Sequence, residues 1–171
     1  MSTPPIMCRT LWFRIAFGSR PRVTLMRTII TGTVLVLVGT GWLRPALVDG
    51  DSMFPTIRDR EFRVLNLLSY RMGEPQRFDI VAIQGADKRH MFLKRILALP
   101  GEKIEWQRGK LLINGVALKE EYLVGAIDWD MPSVQLEERE YFVAGDNRGI
   151  EMSHHVLGRT YRRFIYAKLL W

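Results

Sequence analysis

Short apolar runs separated by turn residues dominate the chain from residue 49 onward. No stretch there keeps a 3.6-residue apolar period, and the segment at 103–107 alternates polar and apolar residues, as a strand with one wet face does. Turn pairs such as Pro100-Gly101 and Asn114-Gly115 separate the runs. The pattern predicts strands at FRVLNLL (62–68), FDIVAI (78–83), MFLKRILA (91–98), KIEWQ (103–107), KLLI (110–113) and EYFVA (140–144).

The closing segment, TYRRFIYAKLLW (160–171), fits either a final strand or a short helix, and its periodicity does not decide between them. We therefore predict a mainly β fold, in which an antiparallel β-sheet domain with short loops follows an N-terminal transmembrane helix.

The N-terminal part follows a different pattern. Residues 28–43 carry no charge, and the residues before them hold five arginines and no acidic side chain. Basic residues on one side of an apolar span keep that side in the cytoplasm. Because a full span needs about 20 residues, we extend the anchor on both sides, with Arg44 at the outer interface. The prediction is a basic cytoplasmic arm (1–27), a transmembrane anchor (28–48) and an extracytoplasmic β domain (49–171).

Two other interpretations of the apolar run are weaker. A cleaved signal peptide predicts small residues at a cleavage site just after the run, but Arg44 and Pro45 stand there. A helix in a soluble core is disfavoured because three glycines and many β-branched residues make the run a poor helix in water. Upstream, LWFRIAF (11–17) fits either an interfacial segment or a disordered one.

The charge of the whole chain is +7, which invites a nucleic-acid interpretation. Residues 44–171 nevertheless hold 20 basic and 18 acidic side chains, so most of the excess lies in the arm. We therefore expect no nucleic-acid partner. A hydrophobic fraction of 47% excludes wholesale disorder, and the single cysteine, Cys8, excludes an internal disulfide framework.

Three segments carry candidate chemistry. In GDSMFPT (50–56), Ser52 fits either a turn or a nucleophile. In FLKRILALPGE (92–102), Lys94 and Arg95 are adjacent, so one of them points among apolar neighbours in an internal strand. A buried lysine loses its charge more easily and can take a proton from a serine, whereas on an edge strand both cations reach solvent. The third segment, YFVAGDNR (141–148), is a strand that runs into a polar turn.

In this order, GDSMFPT, RFDIVAI, FLKRILALPGE and YFVAGDNR resemble the type I signal peptidase (leader peptidase) family of membrane-bound serine proteases. The resemblance runs from about Val48 to the C-terminus and includes the intermediate features LLINGVAL and EEYL. Any one of the segments is weak evidence, but four of them in the order of the family are specific.

The resemblance implies a Ser/Lys dyad, with Ser52 as the nucleophile and Lys94 as the general base. It also implies an oxyanion hole built from the Ser52 N–H, assisted by Gly50, which can offer only its backbone. Met53 and Pro55 match positions that shape the cleft. No cofactor and no metal are expected, since the adjacent His154 and His155 would point to opposite faces of a strand.

Arg95 matches a framework position of the family, and the turn that supports the dyad matches Asp146, Asn147 and Arg148. After this turn the chain departs from the family pattern. Glu151 stands where the family has a serine that orients the lysine, and Ser153 stands on the family's aspartate. A carboxylate beside Lys94 would raise the lysine pKa and oppose its use as a base. Either Ser153 replaces that serine, or Glu151 turns away, or the dyad is tuned differently.

The resemblance implies a membrane-anchored serine endopeptidase that removes N-terminal signal (leader) peptides from exported precursor proteins. Its partners would be precursors with small residues at positions −1 and −3, and the lipid bilayer. The expected location is the inner (cytoplasmic) membrane, with a single span, a cytoplasmic N-terminus and a periplasmic catalytic domain. The compact domain suggests a dedicated enzyme, such as one that matures a pilin of a conjugation or secretion system. The alternative is a catalytically inactive, membrane-tethered β domain that binds export or assembly partners.

Overall fold

The computed structural model describes residues 21–85, 90–123, 127–152 and 158–170. The chain divides between Trp42 and Leu43 into two units. The first unit is described from residue 21 and contains one helix. The second unit contains strands and short helices.

The first unit holds helix α1 (Pro21–Gly39), whose 19 residues extend for about 28 Å, close to the apolar thickness of a bilayer. Its window Arg22–Gly39 has a mean hydropathy of 1.5, and none of that window is buried inside the protein. The helix therefore fits a membrane anchor by its length and composition.

A glycine ends this helix. Gly41 has a φ of +72°, its N–H donates to the Val38 carbonyl (3.0 Å), and the Trp42 N–H donates to the Leu37 carbonyl (3.0 Å). This pair of hydrogen bonds is the Schellman arrangement, which satisfies the last carbonyls of a helix and stops it. The helix thus begins and ends earlier than the anchor predicted at 28–48.

The second unit begins at Leu43, and its elements follow closely on one another. They are β1 (Leu43–Leu47), β2 (Phe62–Asn66), α2 (Ser69–Met72), β3 (Ile80–Gln84), β4 (Met91–Ala98), β5 (Lys103–Gln107), β6 (Lys110–Ile113), β7 (Val116–Ala117), β8 (Met131–Gln135), β9 (Glu140–Ala144), β10 (Arg159–Tyr161), a 3-10 helix (Arg162–Phe164) and β11 (Ile165–Leu170).

Within the described residues the strands form two antiparallel sheets. The larger sheet has the order β1-β2-β11-β3-β4-β9-β10, and the smaller one has the order β7-β6-β5-β8. Strand β4 lies between β3 and β9, so it is internal, whereas β1 is an edge strand. The expected fold, mainly antiparallel β with an N-terminal helix, is confirmed.

Each predicted strand is present, and the closing segment combines both structures that the sequence allowed, since the 3-10 helix precedes β11. Strand β1 is the main departure. Residues 43–47 were assigned to the anchor, but they pair with β2 from Leu43↔Asn66 to Leu47↔Phe62. Arg44 consequently lies in the sheet of the second unit, where it donates to the Tyr166 hydroxyl at 3.5 Å.

Alternating residues of β3 face two different cores. Ile80 and Ala82 pack in a cluster with Met53 and Ile57, whereas Val81 and Ile83 pack in another cluster on the opposite face. A third cluster joins the smaller sheet to the end of β4 and to β9, and its buried members include Leu97, Ala98, Ile104, Trp106, Leu111, Trp129 and Phe142.

The third cluster should carry much of the stability of the second unit. Ile104 is fully buried in it, so Ile104→Ala is expected to lower the free energy of unfolding by about 2–5 kcal/mol, because it removes packed methyl groups and leaves a cavity. Val116→Ala, at an exposed position of β7, should change it by less than about 0.5 kcal/mol. Urea unfolding of both variants measures the difference, and equal effects would contradict this core.

Candidate active site

The loop between β1 and β2 carries the predicted nucleophile, and it is closed at its base. The Val48 N–H donates to the Glu61 carbonyl (3.0 Å), and the Arg60 N–H donates to the Val48 carbonyl (2.8 Å). Two apolar side chains of the loop, Met53 and Ile57, are buried in the core cluster beneath it. The loop is therefore fixed both at its ends and along its middle.

Gly50 uses its N–H inside this loop. The N–H donates to the Asp59 carboxylate (2.8 Å), and the φ of +94° at Gly50 is one that side chains rarely allow. An N–H that is already bonded is not available to a substrate oxyanion, so the predicted assistance from Gly50 is not supported. The Ser52 N–H has no acceptor among the described residues, which leaves it available.

The turn after β9 binds the loop that contains Ser52. The Asn147 N–H donates to the Ser52 carbonyl (3.1 Å), and the Asn147 side-chain amide donates to the Asp51 carbonyl (3.0 Å). The Thr56 hydroxyl donates to the Asp146 carboxylate at 2.5 Å. Two successive residues of the turn thus hold three points of the loop.

The same turn is joined to β4 by a buried ion pair. Arg95 donates from Nε to Asp146 Oδ1 (2.9 Å) and from Nη2 to Asp146 Oδ2 (2.6 Å), while its Nη1 donates to the Phe78 carbonyl (2.9 Å). Arg95 is 5% exposed and Asp146 is 2% exposed. Such a two-point pair fixes orientation as well as distance, so it holds the turn in one register against β4.

Lys94 precedes this arginine and is also buried, with 6% of its surface exposed. It lies opposite Val81 in the β3–β4 ladder, on the sheet face away from Arg95. Burial lowers the pKa of Lys94 below its ordinary value, and the Asp146 carboxylate partly opposes that shift. The alternative in which both cations reach solvent is wrong, because β4 is internal.

Ser52 and Lys94 are both connected to the turn at residues 145–148, since Asn147 holds the Ser52 backbone, and Asp146 raises the Lys94 pKa and binds the neighbouring Arg95. Among the described residues no hydrogen bond is recorded between the Ser52 hydroxyl and the Lys94 amine. The two groups are linked here through the turn.

A cleft of about 320 Å³ opens beside Ser52. Residues 44–49 and Ser52 form one side of it, residues 91–93 form another, and Met53, Leu65 and Ala82 contribute buried surface. Strand β1 is an edge strand, and the recorded pairing of β4 with β9 runs only over residues 95–98 of β4, so both strands can offer backbone groups to the cleft. Of the predicted cleft residues, Met53 lines it and Pro55 does not.

The remaining predicted support residues have different outcomes. Arg148 is buried and pairs with Glu120 at 2.6 Å. The Glu151 side chain is exposed, and the shift of the Lys94 pKa is attributed to burial and Asp146, without a contribution from Glu151. The concern that a carboxylate at 151 would keep Lys94 charged is therefore not supported. Ser153, His154 and His155 lie outside the described residues.

The sequence analysis missed three residues that contact the site. Thr56 binds Asp146 and lies inside the first motif, so its hydroxyl was a visible signal. Tyr122 stacks on Arg95, and Glu120 pairs with Arg148. Both lie in the EEYL segment (120–123), whose sequence does not indicate that its side chains contact the site.

Comparison with known proteins assigns the chain to one family. The chain matches the family described as signal peptidase, peptidase S26, over residues 22–152, which is more than half of it. It is 35% identical over 134 residues to signal peptidase I S of Bacillus subtilis, an alignment that covers 71% of this chain and 72% of that protein. It is 37% identical over 134 residues to signal peptidase I of Bacillus licheniformis, with 72% of each chain covered.

Two further similarities are more limited in coverage or in fit. The probable signal peptidase I-1 of Synechocystis sp. is 34% identical over 122 residues, which cover 67% of this chain and 62% of that protein. A crystal structure of a signal peptidase I from Enterococcus faecalis V583 aligns with 28% identity and a TM-score of 0.48, covering 57% of this chain and 98% of the other.

The class that the comparisons define is a serine peptidase with an N-terminal apolar helix. The chain belongs to the signal peptidase family, peptidase S26.

The burial of Lys94 predicts a pH-dependent effect on stability. A lysine whose pKa is lower in the folded state than in the unfolded state destabilises the fold at every pH below its unfolded value. Lys94→Met should therefore raise the free energy of unfolding at pH 7, and the gain should shrink as the pH approaches 10.5. The exposed Lys103→Met serves as the control and should show no such trend in urea unfolding at several pH values. A gain that is independent of pH would refute the lowered pKa.

The Arg95–Asp146 pair predicts a large loss of stability. Asp146→Asn leaves a buried guanidinium without its carboxylate, which is expected to cost about 3–5 kcal/mol of unfolding free energy. Asp130→Asn, at an exposed position, should cost less than about 0.5 kcal/mol. Denaturant unfolding compares the two variants, and a cost below about 1 kcal/mol for Asp146→Asn would show that the pair is not a structural support.

Proposed function

We propose that this chain removes signal peptides from exported precursors, with Ser52 as the nucleophile and Lys94 as the general base. The observation that carries the proposal is the burial of Lys94 next to Arg95, whose partner turn holds the Ser52 loop. Burial favours the neutral amine, which is the form that accepts a proton. The Ser–Lys pair is a known variant of serine-protease chemistry.

In the first step the Ser52 oxygen attacks the scissile carbonyl, and the neutral Lys94 amine takes the hydroxyl proton. The ammonium then gives this proton to the leaving amine, and an acyl-enzyme ester remains on Ser52. Lys94 next removes a proton from water, which attacks the ester, and the ammonium gives this proton to the Ser52 oxygen as the signal peptide is released. The Ser52 N–H supplies one donor for the oxyanion, a contribution of the kind that is typically about 3–4 kcal/mol.

The precursor would bind as an extended strand in the cleft, between the edge of β1 and residues 91–93. In an extended peptide, side chains at positions −1 and −3 lie on the same face, so one wall of the cleft limits both. Most of the residues that line the cleft are apolar, which suits small apolar side chains at both positions.

The chain would sit in the inner (cytoplasmic) membrane through α1, with its N-terminus in the cytoplasm and its β domain outside. The five arginines in residues 1–27 support this orientation, because three precede α1, Arg22 and Arg27 lie in its first two turns, and basic residues at one end of a span stay on the cytoplasmic side.

Cleavage of a signal-peptide reporter by the full chain in detergent micelles tests the dyad. Ser52→Ala and Lys94→Met should each lower kcat by at least about 10³-fold, because nucleophile and base act as one unit. Lys103→Met, which changes an exposed lysine on β5, should retain the activity of the unchanged protein.

Full activity of either dyad variant would overturn these roles. No cleavage by the unchanged protein, on reporters with small residues at −1 and −3, would favour the inactive binding domain instead.

A further inference from the structure

The loop at residues 118–123 follows the smaller sheet and reaches the candidate active site. The Leu118 N–H donates to the Leu111 carbonyl at 2.9 Å, which ties the start of the loop to β6. Further along the loop, Glu120 contacts Arg148, the last residue of the turn at residues 145–148. Tyr122 contacts Arg95, which binds the same turn through Asp146.

Glu120 is the carboxylate partner of Arg148. The guanidinium donates from Nη2 and Nη1 to the two Glu120 oxygens, at 2.6 Å and 3.1 Å. Arg148 also donates from Nε to the Gly145 carbonyl (2.9 Å), and it lies over the Trp129 ring at 5.0 Å. Both side chains of the pair are at most 5% exposed. The pair therefore fixes the end of the turn at Arg148 to the loop at residues 118–123.

Tyr122 covers Arg95, which binds the turn through Asp146. The guanidinium carbon lies 3.9 Å from the centre of the Tyr122 ring, and Phe78 meets the same ring edge-on at 5.9 Å. The Tyr122 hydroxyl donates to Glu120. Burial raises the pKa of Tyr122, so its hydroxyl stays protonated and remains a donor. One tyrosine thus joins the two charged pairs.

These contacts form a continuous series from the smaller sheet to the nucleophile loop. It runs from Arg148 through Glu120 and Tyr122 to Arg95, and from there through Asp146 to the Thr56 hydroxyl. Asn147 stands in the sequence between Asp146 and Arg148, and its N–H donates to the Ser52 carbonyl. A shift of the turn would move Ser52 relative to Lys94.

We propose that Glu120 and Tyr122 are positioning residues for the Ser52–Lys94 dyad, because they hold the arginines that fix the turn on which Ser52 rests. This inference rests on the proposed function of the dyad. It gives the smaller sheet a role in catalysis, although neither residue lines the cleft. A misplacement of a reacting group by about 1 Å can cost about 10²-fold in rate, so the effect should be measurable.

Three variants separate positioning from general stability, all measured in the full chain in micelles with a signal-peptide reporter. Tyr122→Leu removes the stacking on Arg95, so kcat should fall by about 10²-fold while KM changes by less than about 3-fold, because the cleft walls are untouched. Tyr122→Phe keeps the ring over Arg95 and should retain kcat within about 3-fold. Ile104→Ala, at the fully buried position of β5, should lower Tm and leave kcat intact well below that Tm.

The inference is overturned if Tyr122→Leu keeps kcat within about 3-fold, if Tyr122→Phe loses as much as Tyr122→Leu, or if Ile104→Ala loses kcat to the same extent. Ser52→Ala measured in parallel separates the two claims. An inactive Ser52→Ala beside a fully active Tyr122→Leu refutes the positioning role alone. An active Ser52→Ala, or an unchanged protein that cleaves nothing, refutes the proposed function and this inference together.

Discussion

The buried pair of Arg95 and Asp146 is the interaction on which the site depends. It joins an internal strand to the turn after β9, and the same carboxylate also accepts a hydrogen bond from the Thr56 hydroxyl in the nucleophile loop. A buried ion pair is tolerated only when its hydrogen bonds are satisfied, and here each carboxylate oxygen and the three donating guanidinium nitrogens have a partner. Three parts of the chain that are far apart in sequence are fixed by one pair of side chains.

The adjacent Lys94 and Arg95 have different electrostatic roles on β4. Arginine keeps its charge in proteins, so it suits the permanent pair with Asp146. Lysine loses its charge more readily when it is buried, and Lys94 lies on the other face of the strand, opposite Val81. Burial lowers the pKa of Lys94 by more than the Asp146 carboxylate raises it. This arrangement needs a strand with both faces covered, and on β4 the burial of Lys94 and Arg95 shows that both are.

The strands with clear alternation or bounding turns were predictable from sequence, as were the three motifs that meet around the Asp146 turn. Strand β1 was missed because it directly follows the charge-free run and its apolar residues were assigned to the end of the anchor, from which only its pairing with β2 separates it. Strand β8 was missed because MPSVQ has no alternation and contains a proline. The contacts of Glu120 and Tyr122 could not be predicted, because they depend on how a loop of the smaller sheet folds back over residues 25 or more positions away.

Strand β1 also bears on how copies of the protein meet. An edge strand beside an open cleft is a template on which any extended chain can pair, including the same strand of a second copy. Here the edge is only five residues long, and Pro45 at its centre has no N–H to donate. An extended substrate can still pair with the other backbone groups of such an edge, whereas a long continuous ladder between two copies is disfavoured. The short edge and its proline thus limit pairing between copies at the place where the proposed function needs accessible backbone groups.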